Sequence, residues 1–80
     1  MPTLLKQDGF RFFFYSKENG EPPHIHVEKR IGEGQAKFWL ETLTLSKCKN
    51  IADHDITKIR KIVKDNQQTF IEAWYEHFGN

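Results

Sequence analysis

The spacing of the apolar residues changes near residue 50, and this change limits the folds open to the chain. Over residues 1–46, apolar and polar side chains alternate in short runs, which is typical of strands that bury one face. From residue 50 onward, apolar side chains recur every three or four positions, as on one face of a helix. The sequence therefore predicts an α+β fold in which a small antiparallel sheet of four to five strands packs against a C-terminal amphipathic helix.

The length of the chain sets the number of domains. Its 80 residues suffice for one modest core, because small chains bury a smaller share of their surface. We expect a single domain over residues 1–80, with the sheet in 1–46 and the helical segment in 50–79. The sequence lacks the apolar run of a signal peptide or membrane span, and the lone Cys48 cannot form an internal disulfide. These features predict a cytoplasmic protein without membrane contact.

Turn residues divide the first half of the chain into its predicted strands. The expected turns combine Gly with Asp, Asn or Glu, at Asp8-Gly9, Glu18-Asn19-Gly20 and Gly32-Glu33-Gly34. The strands are expected at Thr3–Lys6, Phe10–Ser16, His24–Lys29, Gln35–Leu40 and, as a short fifth strand, Thr42–Leu45.

The helical segment has a start signal, a stop signal and an interruption. Asp53 is expected to be the N-cap, because its carboxylate can accept the free amide hydrogens of the first turn, and Gly79 is expected to end the helix. Polar residues at 65–68 interrupt the apolar stripe. The segment is therefore one long helix or two helices with a bend, and the continuous helix is favoured because no Gly or Pro intervenes. The stripe and the sheet are expected to share a core containing Ile25, Val27, Phe38, Ile59, Val63 and Phe70.

Two histidines stand out within the sheet region. Alternation places His24 and His26 on one exposed side of a strand, about 6–7 Å apart, while Ile25 and Val27 turn toward the core. Imidazole titrates near neutral pH, so the pair could act as acid and base, and it could also bind a metal. If the strands pair in sequence order, the same face also carries basic and aromatic side chains, namely Arg11, Phe13, Tyr15, Lys37 and Trp39.

This mixture of side chains suits two kinds of ligand. Rings, imidazoles and cations can bind or cleave RNA, and they are also typical of protein interfaces. We favour a protein partner, because a ring-bearing surface needs no strict catalytic geometry to bind one. A second basic surface, formed by a locally cationic stretch of the helical segment, could contact nucleic acid, although a solvated helix face is the commoner reason for such charge. Its residues are Lys58, Arg60, Lys61 and Lys64.

Several sequence runs together are characteristic of one family. They are Gly-Phe-Arg-Phe-Phe-Phe-Tyr-Ser at 9–16, Glu-Pro-Pro-His-Ile-His-Val-Glu at 21–28, Ala-Lys-Phe-Trp-Leu at 36–40 and Ala-Trp-Tyr-Glu-His-Phe-Gly at 73–79. In these runs the chain resembles a family of small bacterial proteins known as a domain of unknown function. The resemblance implies a two-gene bacterial module, of a kind proposed to be a toxin–antitoxin pair, and hence a cognate small protein encoded nearby as partner. It carries over the motif positions Glu21, Pro22, Pro23, His24 and His26 and implies no catalytic residues.

These observations lead to one functional hypothesis and two alternatives. We expect a toxin-like component that binds a protein partner through the sheet face of His24 and His26. The first alternative is a metal-independent ribonuclease in which these histidines are base and acid while Arg11 or Lys37 stabilises phosphate charge. The second is a metal-binding or purely structural domain. The sequence has no nucleotide-binding glycine loop, cysteine-based zinc spacing or serine nucleophile motif, and we assign it no cofactor and no metal.

Overall fold

A computed structural model of the chain describes residues 3–16 and 20–79. Within them, five strands form one antiparallel sheet whose spatial order follows the sequence. The strands are β1 (Thr3–Gln7), β2 (Phe10–Phe13), β3 (His24–Lys29), β4 (Gly34–Trp39) and β5 (Leu45–Lys49). The helices are α1 (Arg30–Glu33), a single turn between β3 and β4, and α2 (Asp53–Asp65) and α3 (Gln67–Phe78), which follow the sheet. The predicted α+β fold is confirmed.

The core lies between one face of the sheet and the helices α2 and α3. All six residues predicted to share it belong to a single buried cluster, in which Phe12, Phe14 and Trp74 also take part. Ile25, Phe38 and Ile59 have no solvent exposure. Burying a side chain of this size stabilises a fold by about 1.5–3 kcal/mol. The inward position of Ile25 and Val27 therefore determines which face of β3 points toward the core.

The first hairpin forms where the sequence predicts it. Asp8 and Gly9 both have positive φ, at 55° and 85°, which matches the backbone of a tight two-residue turn between β1 and β2. β2 ends at Phe13 rather than at the expected Ser16. The next expected turn, at Glu18-Asn19-Gly20, lies largely outside the described residues.

The connection from β3 to β4 differs from the expected hairpin. Instead of a tight turn at Gly32-Glu33-Gly34, the chain forms the single helical turn α1, in which Gly32 has a φ of 80°. Gly34 then begins β4 against the backbone after β5, where an added Cβ would lie 2.6 Å from the carbonyl oxygen of Asn50. Gly32 therefore adopts a left-handed backbone conformation, and Gly34 allows two chain segments to approach each other closely.

The fifth strand begins later than expected. The prediction of a strand at Thr42–Leu45 is wrong, because Leu43 has a φ of 60° and its amide donates to the carbonyl of Trp39 at 2.9 Å. These residues form the turn after β4, and pairing resumes only at Leu45.

The start of the helical segment also differs by one position. Asp53 is the first residue of α2, and Ala52 takes the N-cap position without a side-chain cap. The carbonyl of Ala52 accepts hydrogen bonds from the amides of Asp55 and Ile56, at 3.0 Å each. The predicted N-cap at Asp53 is therefore wrong, although a carboxylate in the first turn still suits the positive end of the helix dipole.

The helical segment is divided at Asn66. This residue has φ −113° and ψ 13°, and its side-chain amide donates to the carbonyl of Ile62 at 2.8 Å. A side-chain donor of this kind competes with the helical hydrogen bonds, so the segment forms two helices rather than the favoured continuous one. Gly79, with a φ of 80°, ends α3 as expected. In the described part of the chain, no helix has the length and apolarity needed to cross a membrane.

An ion pair connects α2 to the sheet. Lys29 at the end of β3 donates from Nζ to Oδ2 of Asp55 at 2.8 Å. Asp55 is buried, and the hydrogen bond from Lys29, followed by the charge of the same side chain, holds the pKa of its carboxyl below the ordinary value of 3.8. This contact fixes the first turn of α2 against β3.

Candidate binding face

The sheet face opposite the core carries the side chains that the sequence singles out. We call it the open face, because α2 and α3 pack on the other side of the sheet. Strand register aligns Phe13, His26 and Lys37 in one row across β2, β3 and β4, and it sets His24 opposite Trp39. The expected grouping of these side chains on one face is thus observed in the backbone register.

His26 lies at the centre of the open face. Its ring stacks on Phe13 with centroids 5.7 Å apart and meets the ring of Tyr15 edge-on at 4.5 Å. His26 is half-buried, Phe13 is buried and Tyr15 is exposed. The exposed part of this cluster therefore consists of a phenol and an imidazole on a rigid aromatic base, which suits packing against a partner.

His24 is not exposed, contrary to the expectation that both histidines face solvent. Its side chain has 0% exposure, and its ring lies 4.7 Å from that of Trp74 in α3 and 5.6 Å from that of Trp39. Its Nδ1 is 2.9 Å from the carbonyl oxygen of Pro22. Because a carbonyl oxygen can only accept, Nδ1 is the donor. His24 therefore joins the end of the sheet to α3 and is shielded from solvent by these rings.

The segment before β3 is anchored residue by residue. The carboxylate of Glu21 accepts a hydrogen bond from Nζ of Lys37 and lies 3.8 Å from Nδ1 of His24. The carbonyl of Pro22 holds His24, and the carbonyl of Pro23 accepts from the amide of Leu40 at 3.0 Å. Each residue of the Glu-Pro-Pro-His motif thus makes a contact that fixes the lead-in to β3.

The charges of Lys37 and Arg11 are already compensated. Nζ of Lys37, on a side chain only 9% exposed, pairs with Glu21 and lies 4.5 Å from the centroid of the Trp39 ring. Arg11 pairs with Glu28 at 3.1 Å and covers the ring of Phe13 at 4.0 Å. Both cations therefore act first as structural partners within the face, which weakens the expectation that either stabilises a phosphate.

The basic residues of α2 form a separate surface. They are exposed and belong to the helical layer, on the other side of the sheet from the open face. Arg60 contacts the sheet layer, because its Nε donates to the carbonyl of Leu43 at 3.4 Å and its guanidinium carbon lies 5.5 Å from the centroid of the Phe38 ring. The structure does not bring these residues together with the histidines. The surface comprises Lys58, Arg60, Lys61 and Lys64.

Two lysines missed by the sequence interpretation extend the open face. The register sets Lys47 of β5 opposite Lys37 and Lys49 opposite Gln35. Together with Tyr15 and His26, these lysines border a groove of about 550 Å³. Their alternation about Cys48 could have revealed them, but the fifth strand was expected to end at Leu45.

Among the described residues, no three His, Cys, Asp or Glu side chains converge to hold a metal ion.

Comparison with known proteins identifies a family and no individual relative. Residues 9–75, well over half of the chain, match the family described as domain of unknown function (DUF4160). No curated protein and no solved structure is significantly similar to the chain.

Proposed function

Given that this chain belongs to the DUF4160 family, we propose that it is a toxin-like component of a bacterial two-gene module and acts by binding its cognate partner protein through the open face. The observation that carries this proposal is the exposed edge of the aromatic cluster, where Tyr15 packs on His26 and Phe13. Aromatic side chains supply most of the binding energy at many protein interfaces, because they bury a large area at little entropic cost.

The arrangement of the open face supports binding in preference to catalysis. An acid–base mechanism at the two histidines requires both imidazoles to reach one substrate. His24 is fully buried, and its Nδ1 donates to the carbonyl of Pro22, so its position suits a structural role. Of these two histidines, only His26 presents a partly exposed imidazole. A packed ring surface around His26 serves a partner without any proton transfer.

The resemblance to two-gene modules supplies the partner to test, namely the small protein encoded beside the gene. We expect Tyr15→Ala to weaken the complex by about 5- to 30-fold, as truncation of an interface aromatic costs about 1–2 kcal/mol. The matched control is Tyr75→Ala on α3, because Tyr75 is exposed to a similar degree, 44% against 38% for Tyr15, but lies in the helical layer. The measurement is calorimetric titration of the purified parent and variants with the neighbouring protein.

A second set of measurements separates this proposal from the ribonuclease alternative. His26→Gln keeps hydrogen bonding and approximate size but cannot titrate. If the protein acts by binding, cellular RNA stays intact whether the parent or the variant is expressed. RNA cleavage by the parent that His26→Gln abolishes would support the enzyme instead. Equal binding of the partner by Tyr15→Ala, Tyr75→Ala and parent would exclude the open face as the interface.

A further inference from the structure

β5 is one of the two edge strands of the sheet. β5 is the last strand in the sheet order, and its other edge pairs with no strand of the described chain. Four of its five residues are exposed. A strand edge of this kind presents backbone donors and acceptors to which an extended segment can add.

The charges along this edge are uncompensated. Lys47 and Lys49 are exposed, and within the described residues neither forms an ion pair. Lys47 also lies directly opposite Lys37 in the register, and like charges in that position destabilise a sheet. The charge of Lys37 is balanced by Glu21, which leaves the positive charge of β5 available to an anionic ligand.

From this edge we propose, building on the proposed function, that the partner is bound through an acidic extended segment that adds to β5 as a sixth strand. A strand paired antiparallel with β5 would place alternate side chains opposite Lys47 and Lys49, because both strands share the two-residue period. Acidic residues at those alternate positions would form two cross-strand ion pairs. The segment would border the same groove as Tyr15 and His26, so strand addition and ring packing would belong to one continuous interface.

An acidic peptide is favoured over other occupants of this edge. The open face already binds a carboxylate of its own chain, since Glu21, which precedes β3, accepts a hydrogen bond from Lys37. A second copy of the chain is disfavoured, because antiparallel pairing of two β5 strands would bring lysines together. A nucleic acid could use the lysine charges but not the backbone groups of the strand edge.

The test uses the full chain and a labelled ten-residue peptide of alternating Glu and Val. The comparison peptide has the same composition with its glutamates in one block. We expect the alternating peptide to bind more tightly, and Lys47→Ala/Lys49→Ala to weaken it about 2- to 30-fold, the effect of two cross-strand ion pairs. The matched control is Lys61→Ala/Lys64→Ala, which removes two exposed charges from α2. Fluorescence anisotropy gives the affinities, and hydrogen exchange shows whether residues 45–49 become protected.

Each outcome bears on the proposal. Protection confined to residues 45–49, with a preference for the alternating peptide, supports strand addition. Equal affinity for the two peptides, absence of protection, a lysine-dependent dimer of the chain, or tighter binding of an oligoadenylate of equal charge would overturn it. If the cognate protein binds through Tyr15 but is insensitive to Lys47→Ala/Lys49→Ala, strand addition fails while the proposed function stands. If the peptide binds to β5 but the cognate protein does not bind the chain, the proposed function fails and the edge site remains.

Discussion

Replacing His24 with Gln should destabilise the fold, although the alternation of the sequence predicts an exposed side chain at this position. His24 has no solvent exposure and contacts three rings, those of His26, Trp39 and Trp74. Gln can keep the hydrogen bond to the carbonyl of Pro22 but loses the ring contacts, which contribute about 0.5–1.5 kcal/mol each in aromatic pairs. We therefore expect a loss of about 1.5–3 kcal/mol in the free energy of unfolding.

The size of this loss makes it easy to measure. A chain of 80 residues has a total stability of about 4–12 kcal/mol, so the loss is a large fraction of it. In thermal unfolding the midpoint should fall by about 4–8 °C per kcal/mol. Urea unfolding followed by tryptophan fluorescence is a suitable assay, because buried Trp74 becomes exposed.

The control is His54→Gln, since the side chain of His54 is 82% exposed and its replacement should change stability by less than about 0.5 kcal/mol. If His24→Gln also unfolds within about 0.5 kcal/mol of the parent, the packing role assigned to His24 is wrong. Loss of activity in such a stable variant would then indicate a functional role for the imidazole of His24.

Three further changes test the core, the ion pair and the close approach. Phe38→Ala should cost about 3–5 kcal/mol in urea unfolding, because this fully buried ring leaves a cavity, and Phe38→Leu should cost less. Lys29→Met should destabilise the protein at neutral pH. The pKa of Asp55 is lowered in the folded state, so the stabilisation is complete above 3.8 and is lost as the pH falls through the lower folded value. The stabilities of Lys29→Met and the parent should therefore converge in acid, and a constant difference would contradict the assignment. Gly34→Ala should cost about 1–3 kcal/mol, because its Cβ would meet the carbonyl oxygen of Asn50 at 2.6 Å, and unchanged stability would show that the strands separate easily.

Features decided by local spacing could be predicted from the sequence. The inward face of β3 follows from the alternation of Ile25 and Val27, and the first hairpin follows from a turn pair that tolerates positive φ. The turn at Leu43, after which β5 begins, could not be predicted, because Leu43 adopts a positive φ that its residue type does not favour. The bend at Asn66 depends on a side-chain hydrogen bond that competes with the helix, which a search for Gly or Pro does not detect.

The burial of His24 was beyond prediction for a different reason. The alternation of residues along a strand assigns each residue to one face of the sheet. Whether that residue is exposed also depends on which side chains from other elements cover the end of that face. Here the covering ring is Trp74, which lies fifty positions further along the chain and appears in the sequence only as one member of the helical stripe. A histidine on a polar face can therefore be buried by a distant aromatic side chain without any local signal.

The contacts of the Glu-Pro-Pro-His motif indicate that its residues maintain the fold, whereas other residues form the surface that would bind a partner. Glu21 contacts Lys37 and Pro23 contacts Leu40, while Pro22 holds His24, whose ring is enclosed by other rings. A chain that shares this motif is therefore expected to share the geometry of the lead-in to β3. Partner choice would depend instead on side chains at the exposed margin of the sheet, such as Tyr15 and the lysines of β5. Exchanging those side chains between two proteins with the same motif should transfer partner preference, whereas exchanging the motif itself should transfer no preference.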